Sequence, residues 1–311
     1  MAKRADLQRA ADASFRAGTA LAAAMIIVVM AGIVVELVRN SWLSLARFGL
    51  GFLFSADWNP VTERFGAASS IFGTLVSTLI AMVIAVPLSL MIALFLVELA
   101  PSRLGRIAAY GIELLAAVPS IIFGMWGLFA FAPFMGDHVQ PLLQKFLGFL
   151  PLFQGPPMGI GMLTAGIILA FMVVPFISAV MRDVFLMVPA VVKESAYGLG
   201  GTTWEVTRKV TMRYGQQGLI GAVLLGLGRA IGETMAVTFV IGNGHHISAS
   251  IFAAGNSIAS ALANEFTEAS DPIYLSALVE LGLVLFGITL LIQVASQLWL
   301  ARLRRAAGVG R

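Results

Sequence analysis

A chain of 311 residues with 59% hydrophobic and only 12% charged residues, and a mean hydropathy of +0.92, is too apolar for a soluble fold. It contains no cysteine, which excludes disulfides and thiolate metal sites and leaves the redox compartment open. The isoelectric point near 9.8 suits nucleic acid, but the placement of the charges along the chain argues against it.

Six apolar runs follow in order: 18–38, 71–97, 107–132, 160–181, 218–242 and 275–300. Each is long enough for a helix to cross about 30 Å of hydrocarbon. They are too long and continuous for the strands of a membrane barrel. The expectation is an all-α integral membrane protein with six transmembrane helices. The first run follows a basic front end, MAKR and Arg9, as a signal peptide would. Its apolar core is too long and no cleavage region follows, so it reads as a retained span after a cytoplasmic segment 1–17. An outer loop then covers 39–70, and the rest of the membrane domain runs over 71–301.

Orientation follows from Lys and Arg. With both termini inside, fifteen of the 20 basic residues are cytoplasmic: Lys3, Arg4, Arg9, Arg16, Arg103, Arg106, Arg182, Lys193, Arg208, Lys209, Arg213, Arg302, Arg304, Arg305 and Arg311. Arg39, Arg47, Arg64 and Lys145 are outside, and the last outer loop carries Glu265, Glu268 and Asp271 with no basic residue. This skew is the topogenic bias of a membrane protein. The basic character is therefore spent on topology, and no nucleic-acid partner is expected.

The cytoplasmic loop 182–217 contains KESAYGLGGTTWEVTRKV. Its pattern predicts one short helix over 193–199 and another over 202–212, with the 198–201 Gly cluster as the turn. Thr202 or Thr203 is placed to cap the second helix, with Glu205 in its first turn. Such a helix-turn-helix is either a docking element or an ordinary amphipathic loop. The outer loops are rich in Pro, Gly and aromatics, and Trp42, Trp58 and Trp126 suit an interfacial belt. The adjacent His245 and His246 lack metal-ligand spacing and read as surface residues. Pro87, Pro119 and Pro175 each fall inside an apolar run and predict helix kinks, either for packing or along a path that moves.

No nucleophile-base pattern, HExxH or phosphate-binding P-loop is present. The sharpest local signal is GRAIGETMAV, 228–237, where Arg229 and Glu233 are the only charges in the fifth run. Four residues apart, they would share one helix face. Charges at this depth cost several kcal/mol, about 3 on insertion scales, and persist where a cavity or partner receives them. Two readings stand: a structural ion pair, or an anion path in which the planar Arg fork meets an oxyanion. Glu98 and Glu113, near cytoplasmic ends of spans, read as snorkelling, and Glu280 lies early in the last span.

Several segments together resemble a known family. The loop segment Glu194, Ser195, Ala196, Tyr197, Gly198, Leu199, Gly200 resembles the EAA coupling motif of bacterial ABC importer permeases, and Pro189 upstream fits. Arg213 stands where that family usually has a proline near the end of the second short helix. The segments 73–101, 113–133, 194–206, 225–243 and 255–266 resemble the phosphate-specific (Pst) permeases, the PstC type in particular. The resemblance implies a type I (MetI-like) importer fold and a role as the membrane permease of an ATP-driven phosphate importer, not an enzyme in itself. It implies a PstA-type permease partner, a PstB-type ATPase dimer that holds ATP and Mg, and a phosphate-binding protein of PstS type docking near 135–158 and 243–272. It also implies reporting through PhoU to a sensor kinase in the bacterial inner membrane. By the same resemblance, Arg229 and Glu233 serve transport, and Glu194, Ser195, Ala196, Gly198 and Gly200 couple to the ATPase. An importer of sulfate, molybdate or phosphonate, the sister PstA-type subunit, a secondary carrier or channel needing no ATPase, and a purely signalling component are the alternatives.

Overall fold

Apolar chain in hydrocarbon has no water to satisfy its backbone, so each segment closes its own hydrogen bonds as helix. The computed structural model, which describes residues 2–306, is built this way, with no β-strand among the described residues. Helix α1 (Ala2–Asn40) leads into the short α2 (Trp42–Phe48) and α3 (Gly51–Phe54) on the outer side. Helix α4 (Ala68–Leu94) runs on through a π-helical turn, Phe95–Leu99. Then come α5 (Ser102–Ala116) and a helical run, Ser120–Leu147, made of α6 (Ser120–Trp126), α7 (Ala132–Phe134), α8 (Gln140–Leu147) and the π turns between them. Helix α9 (Met162–Leu186) re-enters, followed by α10 (Ala190–Gly198), α11 (Thr203–Val206) and α12 (Met212–Ile231). The short α13 (Met235–Thr238), α14 (Ile258–Glu265) and the long α15 (Pro272–Ala306) complete the order.

Five helical stretches among the described residues are long and apolar enough to cross a membrane: Asp12–Asn40, Ala68–Leu99, Ser120–Leu147, Met162–Leu186 and Pro272–Arg302. All five overlap expected spans, four of them closely and the third only in part. The third differs. Pro119 is extended (φ −57°, ψ 137°) and separates α5 from α6; its ring lacks the N–H that would carry the α5 hydrogen-bond ladder onward. Pro119 is therefore a break between helices and not a kink within one, and the span begins after it. Pro87 and Pro175 lie inside continuous helices, α4 and α9. Helix α12 is the sixth long helix. It is more polar than the other five, carrying Arg213, Gln216, Gln217 and Arg229. The tail expected over 302–311 falls beyond the described residues from 307 onward, and the side chains of Lys3, Arg4, Arg9, Arg304, Arg305 and Arg311 also lie outside the description.

Helix α9 is the centre of the bundle. In its most apolar window 72% of residues are buried, against none in α1. Close approach rests on small residues, as membrane helices require in the absence of a hydrophobic drive. A Cβ at Gly166 would lie 2.6 Å from the Ile80 side chain, one at Gly226 2.4 Å from Ile177, and one at Gly218 2.7 Å from Val184. The Ser89 hydroxyl of α4 donates to the Val174 carbonyl of α9 at 3.1 Å. A second core of α14, α15 and the 52–67 segment packs Phe52, Phe65, Ile258, Leu278 and Leu281 at the outer end.

Candidate substrate pathway and coupling loop

Helix α12 rises from the cytoplasmic loop and stops within the membrane. Gly226 rests on Ile177 and Val173, and the Arg229 guanidinium lies 5.3 Å from the Phe176 ring centroid. These partners are midway along α9, so the end of α12 at Ile231 is at mid-depth. Gly232 caps the helix, Thr234 starts α13, and an irregular segment follows to Ser257. Broken helix at this depth is tolerated only where protein or a water-filled cavity receives its backbone.

This break overturns the expected shared face of Arg229 and Glu233. Arg229 is in the last turn of α12, where a cation complements the partial negative charge of exposed carbonyls. Glu233 lies within the break, and its Oε1 accepts the Ala236 backbone N–H at 3.2 Å, on the start of α13. Each charge answers a different helix end. No ion pair joins them, and Arg229 has no carboxylate partner among the described residues. Gly228, Arg229 and Gly232 are exposed on the flank of the chain, while Ala230 and Ile231 behind them are buried.

The cytoplasmic loop forms two helices, as its pattern predicts, although the first starts at Ala190. Thr202 caps the second: its hydroxyl accepts the Glu205 N–H at 3.3 Å, and Glu205 Oε2 accepts the Thr202 N–H at 3.2 Å. That backbone donor, with Lys209 adding its charge, holds the Glu205 carboxyl below the usual range. The turn needs Gly200, which sits at φ +86°. With Arg213 in place of a proline, the second helix does not end. It continues through the π turn Thr207–Thr211 directly into α12, so loop and broken helix are one rod. Glu194, Ser195, Gly198 and Gly200 are exposed and Ala196 is partly covered. Around them Val191 (70% exposed), Leu199 (91%) and Trp204 (65%) present apolar surface. Lys193 Nζ reaches Glu98 Oε1 at 2.6 Å in a nearly dry pair, and Arg182 meets Glu113 at 3.2 Å. Both carboxylates are thus tied to basic partners instead of snorkelling alone.

No protein-family model matches the chain. The "Phosphate transport system permease protein PstC" of Pasteurella multocida is 53% identical over 298 residues, covering 94% of this chain and 93% of that protein. The protein of the same description from Mesorhizobium japonicum is 52% identical over 96% of this chain and 92% of its own length.

The chain belongs to the PstC family.

A "Probable phosphate transport system permease protein PstC" of Methanocaldococcus jannaschii is still 38% identical over 85% of this chain. Among solved structures, an inward-facing form of the MetNI methionine ABC transporter aligns with 75% of this chain and 92% of its own, at TM-score 0.52 and 18% identity. At that identity the likeness concerns the fold, and it establishes the MetI-like importer permease architecture. This PstC-family member is thus a multi-pass membrane permease subunit.

One constellation in it was not visible from sequence. At the outer end Glu265 accepts from Trp58 Nε1 at 2.6 Å and Tyr274 Oη at 2.7 Å, and pairs with His245 Nε2 at 2.8 Å. His245 stacks on Trp58 with ring centroids 5.4 Å apart. Asn256 Nδ2 contacts the His245 ring at 3.1 Å. Burial pushes the Glu265 carboxyl up, but the bonds from His245, Tyr274 and Trp58 outweigh it and hold it below the usual range. His245 is therefore a structural clasp and not a free surface histidine, and Trp58 faces inward instead of joining a belt. Trp126 also leaves the belt, packing on Phe171 in the middle of α9. These partners are separated by as much as 207 residues, and no local spacing announces them.

Proposed function

We propose that this permease subunit passes inorganic phosphate across the bacterial cytoplasmic membrane along the face that carries Arg229. The single observation that supports it is a mid-depth guanidinium on an exposed flank, with no carboxylate partner among the described residues, at the end of a broken helix. A lipid-facing arginine there would cost several kcal/mol, about 3 on insertion scales, so the flank meets a second permease subunit and a watery gap between the two. Phosphate carries one to two negative charges near neutrality, and one fixed cation lowers its barrier without trapping it. Glu233, bound to the start of α13, moderates that field and keeps the break in shape.

The second subunit is of PstA type, and the energy comes from a PstB-type ATPase dimer that holds the ATP and Mg. The ATPase takes the exposed face of α10 and the 198–201 turn, including Glu194, Ser195, Ala196, Gly198 and Gly200. Because the second loop helix runs into α12, a push at Trp204 moves the helix that carries Arg229 in its last turn. A PstS-type binding protein delivers phosphate to the outer loops, and PhoU with a sensor kinase reads the state of the complex.

The test is uptake by the complete complex in liposomes. Arg229→Gln should abolish phosphate entry while assembly and ATP hydrolysis persist, and Arg229→Lys should keep part of it. Loss of assembly in Arg229→Gln would instead assign Arg229 to packing. Entry of sulfate in place of phosphate in the native complex would change the substrate.

A further inference from the structure

Helix α5 was expected to be the start of a span, and its surface says otherwise. The Pro119 break detaches it from the spanning run that starts at Ser120. Both of its ends are pinned at the cytoplasmic boundary. Gly105 lies against the Leu96 carbonyl in the last turn of the α4 run, at a distance where an added Cβ would sit 3.1 Å away. Glu113 pairs with Arg182 in the last two turns of α9.

The sequence SRLGRIAAYGIELLA divides this helix into three sides. Gly105 and Ala109, one turn apart, are buried against the bundle, with Ala108, Ile112 and Ala116 partly covered beside them. A second side carries Leu104 (51% exposed), Ile107 (69%) and Leu114 (72%), spaced as one helical stripe. The third carries Arg103, Arg106 and Tyr110, all exposed. Neither arginine makes an ion pair among the described residues. An apolar stripe flanked by unpaired arginines and a tyrosine, held at the level where spans leave the membrane, is the pattern of an interfacial helix.

We propose that α5 is a membrane-surface docking element. It lays Leu104, Ile107 and Leu114 into the acyl boundary of the cytoplasmic leaflet and holds anionic phospholipid headgroups with Arg103 and Arg106. The occupant is the lipid surface. Charge decides this: both free guanidinium groups flank the apolar stripe, at the depth of lipid phosphates. Through Glu113–Arg182 and the contact with the turn that bears Glu98, lipid held here borders both ties that fasten the coupling loop.

Two measurements on the assembled complex in lipid nanodiscs test this. The chain has no native cysteine, so Ile107→Cys takes a unique spin label in this subunit. The label should be open to oxygen and closed to a water-soluble nickel complex. Access to the nickel complex would mean that the stripe faces water, and closure to both would mean that a protein subunit covers it. Either result overturns the proposal. Anionic over zwitterionic lipid retention is then read by native mass spectrometry. Each basic group near such a surface is worth about fivefold, so Arg103→Gln with Arg106→Gln should lower the preference by about 30-fold. An unchanged preference in that double variant, with assembly intact, would refute the headgroup role. Arg103→Lys with Arg106→Lys should restore most of it.

Discussion

Lys193→Met should release the coupling loop from the membrane domain. The Lys193–Glu98 pair spans 2.6 Å, with side chains only 17% and 7% exposed. Removing one partner of a buried pair leaves the other charge stranded and costs about 3–5 kcal/mol. Lys193 keeps some solvent contact, so the lower end applies, about 3 kcal/mol. At 1.4 kcal/mol per factor of ten, opening of α10 becomes about 150-fold more frequent. Hydrogen exchange of the Ala190–Gly198 amides in the purified complex reads this directly. Glu98→Gln combined with Lys193→Met removes both charges and should recover most of the protection, since two neutral partners strand nothing. Unchanged exchange in Lys193→Met, or a double variant as exposed as the single one, would show that the pair does not fasten the loop.

Other expectations follow from single positions. The Glu265 carboxyl is depressed in the fold, so its stabilisation is present above the ordinary carboxylate pKa and is lost as pH falls through the folded one. Thermal stability of the outer segment should therefore drop below about pH 4.5, and Glu265→Gln should flatten that dependence while lowering stability at neutral pH. Gly200→Asn should be tolerated at φ +86°, whereas Gly200→Val should weaken ATPase retention in pull-down, because a β-branched residue strains there although space is open. Gly73→Ala should block assembly, since its Cβ would lie 1.8 Å from the Asn256 backbone oxygen, and overpacking a rigid neighbour costs about 1–3 kcal/mol or more.

The features legible in the sequence were those written locally. Long apolar runs marked most of the spans, and Thr202 three residues before Glu205 announced a cap that the structure makes on both sides. The helix ends were harder. Gly232 after Ile231 is a stop signal, but glycines are so frequent in this chain, 32 in all, that one more inside an apolar run did not stand out. Reading the run 218–242 as one helix put Arg229 and Glu233 on a shared face. The observed break in the helix puts Arg229 before it and Glu233 within it, each against a different helix end. Pro119 misled in the same way, since a proline inside an apolar run reads as a kink until the neighbouring helices are seen to separate. The Glu265 clasp depended on Trp58, His245 and Tyr274 meeting from three parts of the chain, which only the tertiary fold brings about.

In the proposed function the end of α12 faces a watery phosphate path. The most direct measurement is the reactivity of Gly232→Cys, exposed beside Arg229 and leaving that arginine in place, toward a charged, membrane-impermeant thiol reagent in the assembled complex, read on this otherwise cysteine-free chain. Rapid labelling from the outer side is expected when ATP is bound without hydrolysis, slowed by phosphate and unaffected by an equal concentration of sulfate. A residue inert to the reagent in every nucleotide state would place the end of α12 in packed protein or lipid and contradict that function.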